Sequence, residues 1–311
     1  MNNSFPSSKD KEIFFTCDVF DSFKDDIASM EHPVFSLSKK PDHRMLIYER
    51  SGIEIKIKPS FTGLATIFDK DILLYLSSSL MNAKNSGLEI SKTVRFTTYD
   101  YILATRKSLG GVQYKQLIDG LERLNGTLIQ TNIKTNGKEI TREFGLIESW
   151  EIIKEDGQLV SIEVTLSDWF YNSILGDAVL TIDKAYFKLR KPVERRLYEL
   201  ARKHCGNQLC WKIKLENLKE KLGVTSQTKL FRFNIKKIVE TNHLPEYNIS
   251  IEDDLVMFTR KECPKDKKNP KKLSFVSKNE IEKLARPGES YDEARKRIQL
   301  NRINVLKKAI K

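Results

Sequence analysis

Four histidines (His32, His43, His204 and His243) and four cysteines (Cys17, Cys205, Cys210 and Cys263) offer this chain its widest scope for metal or nucleophilic chemistry. No cysteine pair has the two-residue spacing of a zinc or redox motif, and no two histidines lie close enough to hold the metal of a nicking tyrosine site. Cys205 follows His204 and precedes Cys210, an arrangement open to a metal or redox pair, but reduced structural thiols are the simpler reading. Asp69-Lys70-Asp71 heads a helical stretch and offers carboxylates to a cation; acid in a first turn is favoured by the helix dipole without any metal. No G-x-x-x-x-G-K-[ST] run is present to cradle ATP phosphates. These residues predict a chain that binds rather than catalyses, with no cofactor and no metal.

The other chemistry on offer is the gripping of a polyanion. Residues 1–180 carry 21 Lys and Arg against 25 Asp and Glu, whereas residues 181–311 carry 33 against 17. An acidic front on a strongly basic back is expected where one part holds nucleic acid. Projected as a helix, residues 225–241 place Leu230, Phe231, Ile235, Ile238 and Val239 on one side and Lys229, Arg232, Phe233, Lys236 and Lys237 on the other. With Ser226 and Gln227 at its start, such a helix suits a major groove, polar residues reaching base edges and cations holding phosphates. A solvated basic face is the competing reading, and Phe233 on the wet side is unusual. A second face, Val112, Lys115, Gln116, Asp119 and Arg123, is closer to neutral. There Lys115 and Arg123 are candidates for guanine or phosphate and Gln116 for adenine, with a protein-binding surface as the competitor.

The elements that must position these faces follow from periodicity. Met45 to Tyr48 and the alternating Ile53, Ile55 and Ile57 flank Ser51-Gly52 and predict a β-hairpin, with Val34 to Leu37 as a first strand. Residues 64–82 have helical spacing, Thr98 to Lys107 gives a second helix capped by Thr97, and Val112 to Leu124 a third after Gly110-Gly111. Asn136-Gly137 and Asp156-Gly157 predict a three-strand meander over 128–166. Helices followed by a β-wing spell a winged helix, and the order recurs. Pro192 opens Val193 to His204, Gly223 ends Leu215 to Leu222, and Thr225 caps a helix to about Thr241. A hairpin of Tyr247 to Ile251 and Leu255 to Thr259 follows.

The fold expected is α+β: two tandem winged-helix domains, at 31–182 and 183–262, after an N-terminal segment at 1–30 and before a basic linker and C-terminal helix at 263–311. Phe14, Phe15, Val19 and Phe20 suggest a short docking segment at the front, and Tyr291 to Ile310 a basic helix at the end. No apolar run approaches the roughly 20 residues of a spanning helix, and the polar N-terminus lacks a secretory stretch, so a cytoplasmic location is expected.

At several of these positions the chain resembles the replication initiator protein A family of bacterial plasmids. The resemblance is carried by Ala65-Thr-Ile-Phe-Asp-Lys-Asp-Ile72, by Gly110-Gly-Val-Gln-Tyr-Lys-Gln-Leu117 with Leu121-Glu-Arg-Leu124, and by Gly126-Thr-Leu-Ile-Gln-Thr131. Glu194-Arg-Arg-Leu-Tyr198, Ala201-Arg-Lys-His-Cys-Gly206 and Leu244-Pro-Glu-Tyr247 follow in order, so that it spans roughly residues 30–260. It implies an initiator whose two winged-helix domains recognise repeats in double-stranded plasmid origin DNA and which recruits the host replicative helicase or its loader. Repression of its own promoter, a homodimeric form and association with the plasmid or nucleoid are further implications. A transcription regulator on the same fold is the alternative; a rolling-circle nicking enzyme is disfavoured by the missing histidine pair.

Overall fold

The first strand among the described residues pairs with a distant partner. The structure is a computed structural model that describes residues 22–261 except 51, 133, 136–137, 140–141, 156–157 and 207, and beyond them Leu284, Arg286, Glu289, Glu293, Ala294, Arg297 and Ile298. Strand β1 (Phe23–Asp26) leads into α1 (Ile27–Glu31), where the Asp26 carboxylate caps the helix by accepting from the Ser29 N–H at 2.7 Å. The hairpin β2 (Leu46–Arg50) and β3 (Ile53–Lys58) forms as the alternation requires, with Ile55 and Ile57 buried. Then come α2 (Lys70–Asn85), β4 (Thr93–Phe96), α3 (Thr98–Ala104) and α4 (Gly111–Gly126). Thr97 caps α3 as expected, its hydroxyl accepting from the Asp100 N–H.

The next strands are β5 (Leu128–Thr131), β6 (Lys134–Thr135), β7 (Lys138–Glu139), β8 (Arg142–Gly145), β9 (Ile147–Glu155) and β10 (Gln158–Leu166). The expected three-strand meander is split between two sheets. Strands β5 and β8 join the first hairpin in the order β2-β3-β5-β8, while β9 and β10 pair with β4 in the order β4-β10-β9. The break falls at Gly145, where a Cβ would lie 2.9 Å from the Ile147 carbonyl oxygen and 3.1 Å from that of Asn125. Only a glycine lets the backbones come that close, and the strand leaves its sheet there. The two turn dipeptides of the meander lie outside the described residues.

Helix α5 (Asp168–Leu175), β11 (Val179–Ile182) and a 3₁₀ turn at Lys184–Lys188 lead into α6 (Pro192–Cys205), with Pro192 in its first turn as expected. Then follow β12 (Cys210–Lys214), α7 (Leu215–Leu222), α8 (Thr228–Thr241), β13 (Tyr247–Glu252) and β14 (Leu255–Arg260). Their sheet runs β12-β14-β13. The series α6, β12, α7, α8, β13, β14 therefore repeats α2, β4, α3, α4, β9, β10 in element order and in strand order. Strands β4 and β12, short and flanked by helices, were not foreseen.

Other boundaries moved for local reasons. Val34 to Leu37 is not a strand: Val34 and Phe35 are buried, and a single bridge joins Ser36 to Thr66. Helix α2 starts six residues later than its spacing suggested, because the Asp69 carboxylate accepts from the Thr66 N–H at 2.8 Å and holds 66–69 in a turn. Phe14, Phe15, Val19 and Phe20 lie outside the described residues, as does most of the expected C-terminal helix. In that last stretch Arg297 donates to the Glu289 carboxylate at 2.7 Å.

One hydrophobic core runs from Phe23 to Phe258 and takes side chains from both repeats, so the stretches expected as separate domains share an interior. Charge crosses the seam as well. Lys70, 1% exposed, lies 2.8 Å from Asp25 of β1 and 3.1 Å from Glu199 of α6. Tyr186 donates to Glu199 at 2.7 Å, and Arg196 lies 3.0 Å from its other oxygen. Arg196 also caps α1, donating to the Ser29 and Met30 carbonyls at 2.8 and 2.9 Å. Arg195 reaches Asp71 at 2.5 Å and stacks over Phe68 and Tyr186. Burial raises the Asp25 carboxyl to about 7 against the pull of Lys70, whereas Lys70 and Arg196 lower that of Glu199 against burial.

The turn after α7 is fixed across the same seam. Gly223 sits at φ 70°, and a Cβ there would lie 2.7 Å from Pro33 and 2.8 Å from the Tyr48 hydroxyl oxygen. Gly223→Ala combines left-handed strain with a clash and is expected to cost about 2 kcal/mol or more. A urea midpoint equal to that of the parent protein would contradict this.

Candidate nucleic-acid interface

Helix α8 is held by Phe231, Ile235 and Ile238, all buried, with Val239 half-buried against the same core. Its outward face carries Lys229, Lys236 and Lys237, exposed, with no carboxylate at ion-pair distance among the described residues. Leu230, assigned to the core side by the projection, is instead 52% exposed. Phe233 is 53% exposed, and the Lys237 ammonium lies 4.3 Å from its ring centroid. The helix starts at Thr228, not Thr225, so Ser226 and Gln227 lie in the turn ahead of it, with Gln227 at the N-cap position. Both therefore sit at the N-terminal end of α8.

Arg232 behaves differently from its neighbours. It donates to the Asp253 carbonyl at 2.8 Å and pairs with Asp254, so its guanidinium ties α8 to the tip of the β13–β14 hairpin. That tip, Glu252-Asp253-Asp254, is exposed and acidic and would repel phosphate. Arg232 therefore ties the hairpin tip to α8, unlike the lysines beside it.

On α4 the buried side is Leu117, Gly120, Leu121 and Leu124. Lys115 and Gln116 are exposed and make no side-chain hydrogen bond among the described residues. Arg123 is half-buried and gives both arms of its fork to Asp69, at 2.8 and 2.7 Å. That pair is what the carboxylate at the head of α2 serves, and it removes Arg123 from the outward set. Asp71 is likewise occupied, by Arg195 and by Lys107 at 3.1 Å. Among the described residues no group of three or more His, Cys, Asp or Glu side chains could hold a metal ion.

Sequence reasoning missed the side chains that tie α1, α6 and α7 together and fix the link between the repeats. Glu31 of α1 pairs with Lys203 and His204 of α6 and Lys221 of α7, and their hydrogen bonds depress its carboxyl strongly despite burial. Tyr198 donates to Glu246 at 2.6 Å and accepts from the Asp183 N–H at 2.7 Å, pinning the link between the repeats. The only signal for them was the density of charge and tyrosine in Glu194-Arg-Arg-Leu-Tyr198. Nothing local names their partners. No helix among the described residues is long and apolar enough to cross a membrane.

Comparison with known proteins places this geometry. The family model described as Replication initiator protein A matches residues 24–249. A protein of Wigglesworthia glossinidia brevipalpis assigned a role in replication is 43% identical over 263 residues, covering 82% of this chain and 95% of its own length. Among solved structures, a selenomethionine derivative of domains 2 and 3 of RctB superposes with a TM-score of 0.54 at 14% identity, covering 73% of this chain and 94% of that one. A second structure of RctB domains 2–3 gives a TM-score of 0.50 at 14% identity, covering 74% and 95%.

Proposed function

Because the chain belongs to the replication initiator protein A family, we propose that it starts replication by binding double-stranded origin DNA through two winged-helix units in tandem. The units correspond to the repeated series of elements, at about 31–182 and 183–262, with α4 and α8 as their reading helices. The observation that carries the proposal is the outward face of α8: Lys229, Lys236 and Lys237, exposed and without an ion-pair partner among the described residues, on a helix that follows a tight turn and precedes a hairpin. A helix so placed can enter a major groove, its N-terminal residues Ser226 and Gln227 meeting base edges and its cations meeting phosphates. Lys115 and Gln116 take the corresponding places on α4. Arg123 and Arg232 are left out of the contact set, since Asp69 and Asp254 occupy them.

The work of such a protein is binding. Holding repeats in an array and presenting host helicase or its loader to them needs no covalent step, and repression of its own promoter would follow where a repeat overlaps it. Footprinting across the DNA flanking the gene, together with transformation by a circle carrying only the gene and that DNA, tests the reading. Protected repeats and self-maintaining circles are expected. Protection without maintenance would instead make the chain a transcription regulator on the same fold.

A further inference from the structure

A cleft of about 950 Å³ opens where the two repeats meet. Gln113 and Gln116 of α4 form part of one wall, the loop at 38–41 and the turn at 106–108 another, and the link at 187–190 closes it. Its floor is electrically settled, because Arg123, Arg195 and Lys107 face Asp69 and Asp71 there. Its rim is not. Lys39, Lys40, Arg106 and Arg190 are all exposed, and none has an ion-pair partner among the described residues.

Arg106 carries a second, independent signal. It follows the last turn of α3 at φ 55°, the left-handed conformation that ends helices and favours glycine or asparagine. An arginine there costs backbone strain, and its guanidinium makes no hydrogen bond or ion pair among the described residues that would offset it. Strained backbone positions recur at ligand-binding sites, and this one stands on the rim of the cleft.

The first reading helix lacks a grip of its own. Beside Lys115, the outer side of α4 carries Asp119 and Glu122, and its remaining cation, Arg123, is committed to Asp69. A helix in a groove is held in register by phosphate contacts from flanking elements. We infer that the rim of this cleft, Lys39, Lys40, Arg106 and Arg190, clamps the DNA sugar–phosphate backbone beside α4, between the sites read by α4 and α8. This rests on the reading of α4 and α8 given above. It makes the seam a third, sequence-independent contact that lets a nearly neutral helix serve as a reader.

The test uses the full chain and two labelled duplexes, one of mixed sequence and one from the DNA flanking the gene. Arg106→Gly should melt no lower than the parent protein, since it relieves strain, yet bind both duplexes more weakly. Arg106→Gly with Arg190→Ala should bind roughly tenfold more weakly, and the slope of log affinity against log salt should fall by about 0.9 for each phosphate left without its arginine. Sequence preference should be retained. A folded double variant with unchanged slope and affinity overturns the clamp; the reading of α8 then still stands if Lys229→Ala with Lys236→Ala weakens binding, and falls if that pair too binds normally. Inorganic triphosphate, titrated without DNA, separates the other source of phosphate. Saturable triphosphate binding that disappears in the double variant, with the DNA slope unmoved, would make the cleft a site for free phosphate compounds and overturn the clamp.

Discussion

Lys70→Met is expected to lower the free energy of unfolding by about 3–5 kcal/mol, the usual cost of removing one partner from a buried ion pair. Lys70 and its two carboxylate partners are each at most 1% exposed, so water cannot replace the lost cation. Glu199 keeps Arg196 and Tyr186, but Asp25 loses the one side chain that donates to it among the described residues. The penalty should also grow with pH. The folded Asp25 carboxyl is already raised from 3.8 to about 7, and removing Lys70 raises it further. A carboxyl raised on folding contributes stability fully below its unfolded value, and that contribution is lost as pH rises through the folded one. Adding Asp25→Leu, which fills the site without a charge, should restore most of the loss. Urea unfolding of the three proteins across pH reads both effects. A Lys70→Met protein within about 1 kcal/mol of the parent would show that the cluster does not join the repeats as described.

The largest effect on binding is expected from Lys229→Ala, Lys236→Ala and Lys237→Ala together. If each lysine neutralises one phosphate, the slope of log affinity against log salt falls by about 2.7 and affinity near physiological salt by roughly a hundredfold or more. These side chains are exposed and have no ion-pair partner among the described residues, and Lys237 only lies over the exposed Phe233 ring, so the fold should be untouched. Arg232→Ala is expected to behave differently: it frees the acidic hairpin tip from α8 and loosens that hairpin while removing no direct contact with DNA. Anisotropy titrations over a range of salt separate the two. If the triple variant binds with the parent's affinity and slope, α8 is not the reading helix.

The contrast between Lys229 and Arg232 shows where the sequence stops being legible. A helical projection separates the wet side of α8 from Phe231, Ile235 and Ile238, and it did so correctly for the three lysines. It carries no information about what stands opposite a side chain. The hairpin tip that takes Arg232 arrives 21 residues later. Arg123 and Asp69 are 54 residues apart, and Arg195 and Asp71 are 124 apart. Asp69-Lys70-Asp71 reads as first-turn acid favoured by the helix dipole for the same reason, although Lys70 and Asp71, like Arg195 and Arg196, are part of the seam. The sheets were legible as strands and turns but not as partners. Alternation fixes which face of β5 or β9 is inward, while the choice of sheet depends on the close approach at Gly145.

The pairing of β1 with β11 bears on how the protein is made. Lys24 hydrogen-bonds Thr181, 157 positions further on, and α1 is capped by Arg196, later still. At 5–20 residues per second the ribosome needs roughly 8–30 s to deliver those partners. Until then Phe23 and Met30, which the finished protein buries, lack part of their cover, although α2 can already pack on β1 through Ser77 and Ser78. Chaperones would meet an unclosed front half during every round of translation. A message truncated anywhere before the codon for Arg196 would yield a polypeptide for proteolysis, not a free-standing single reader.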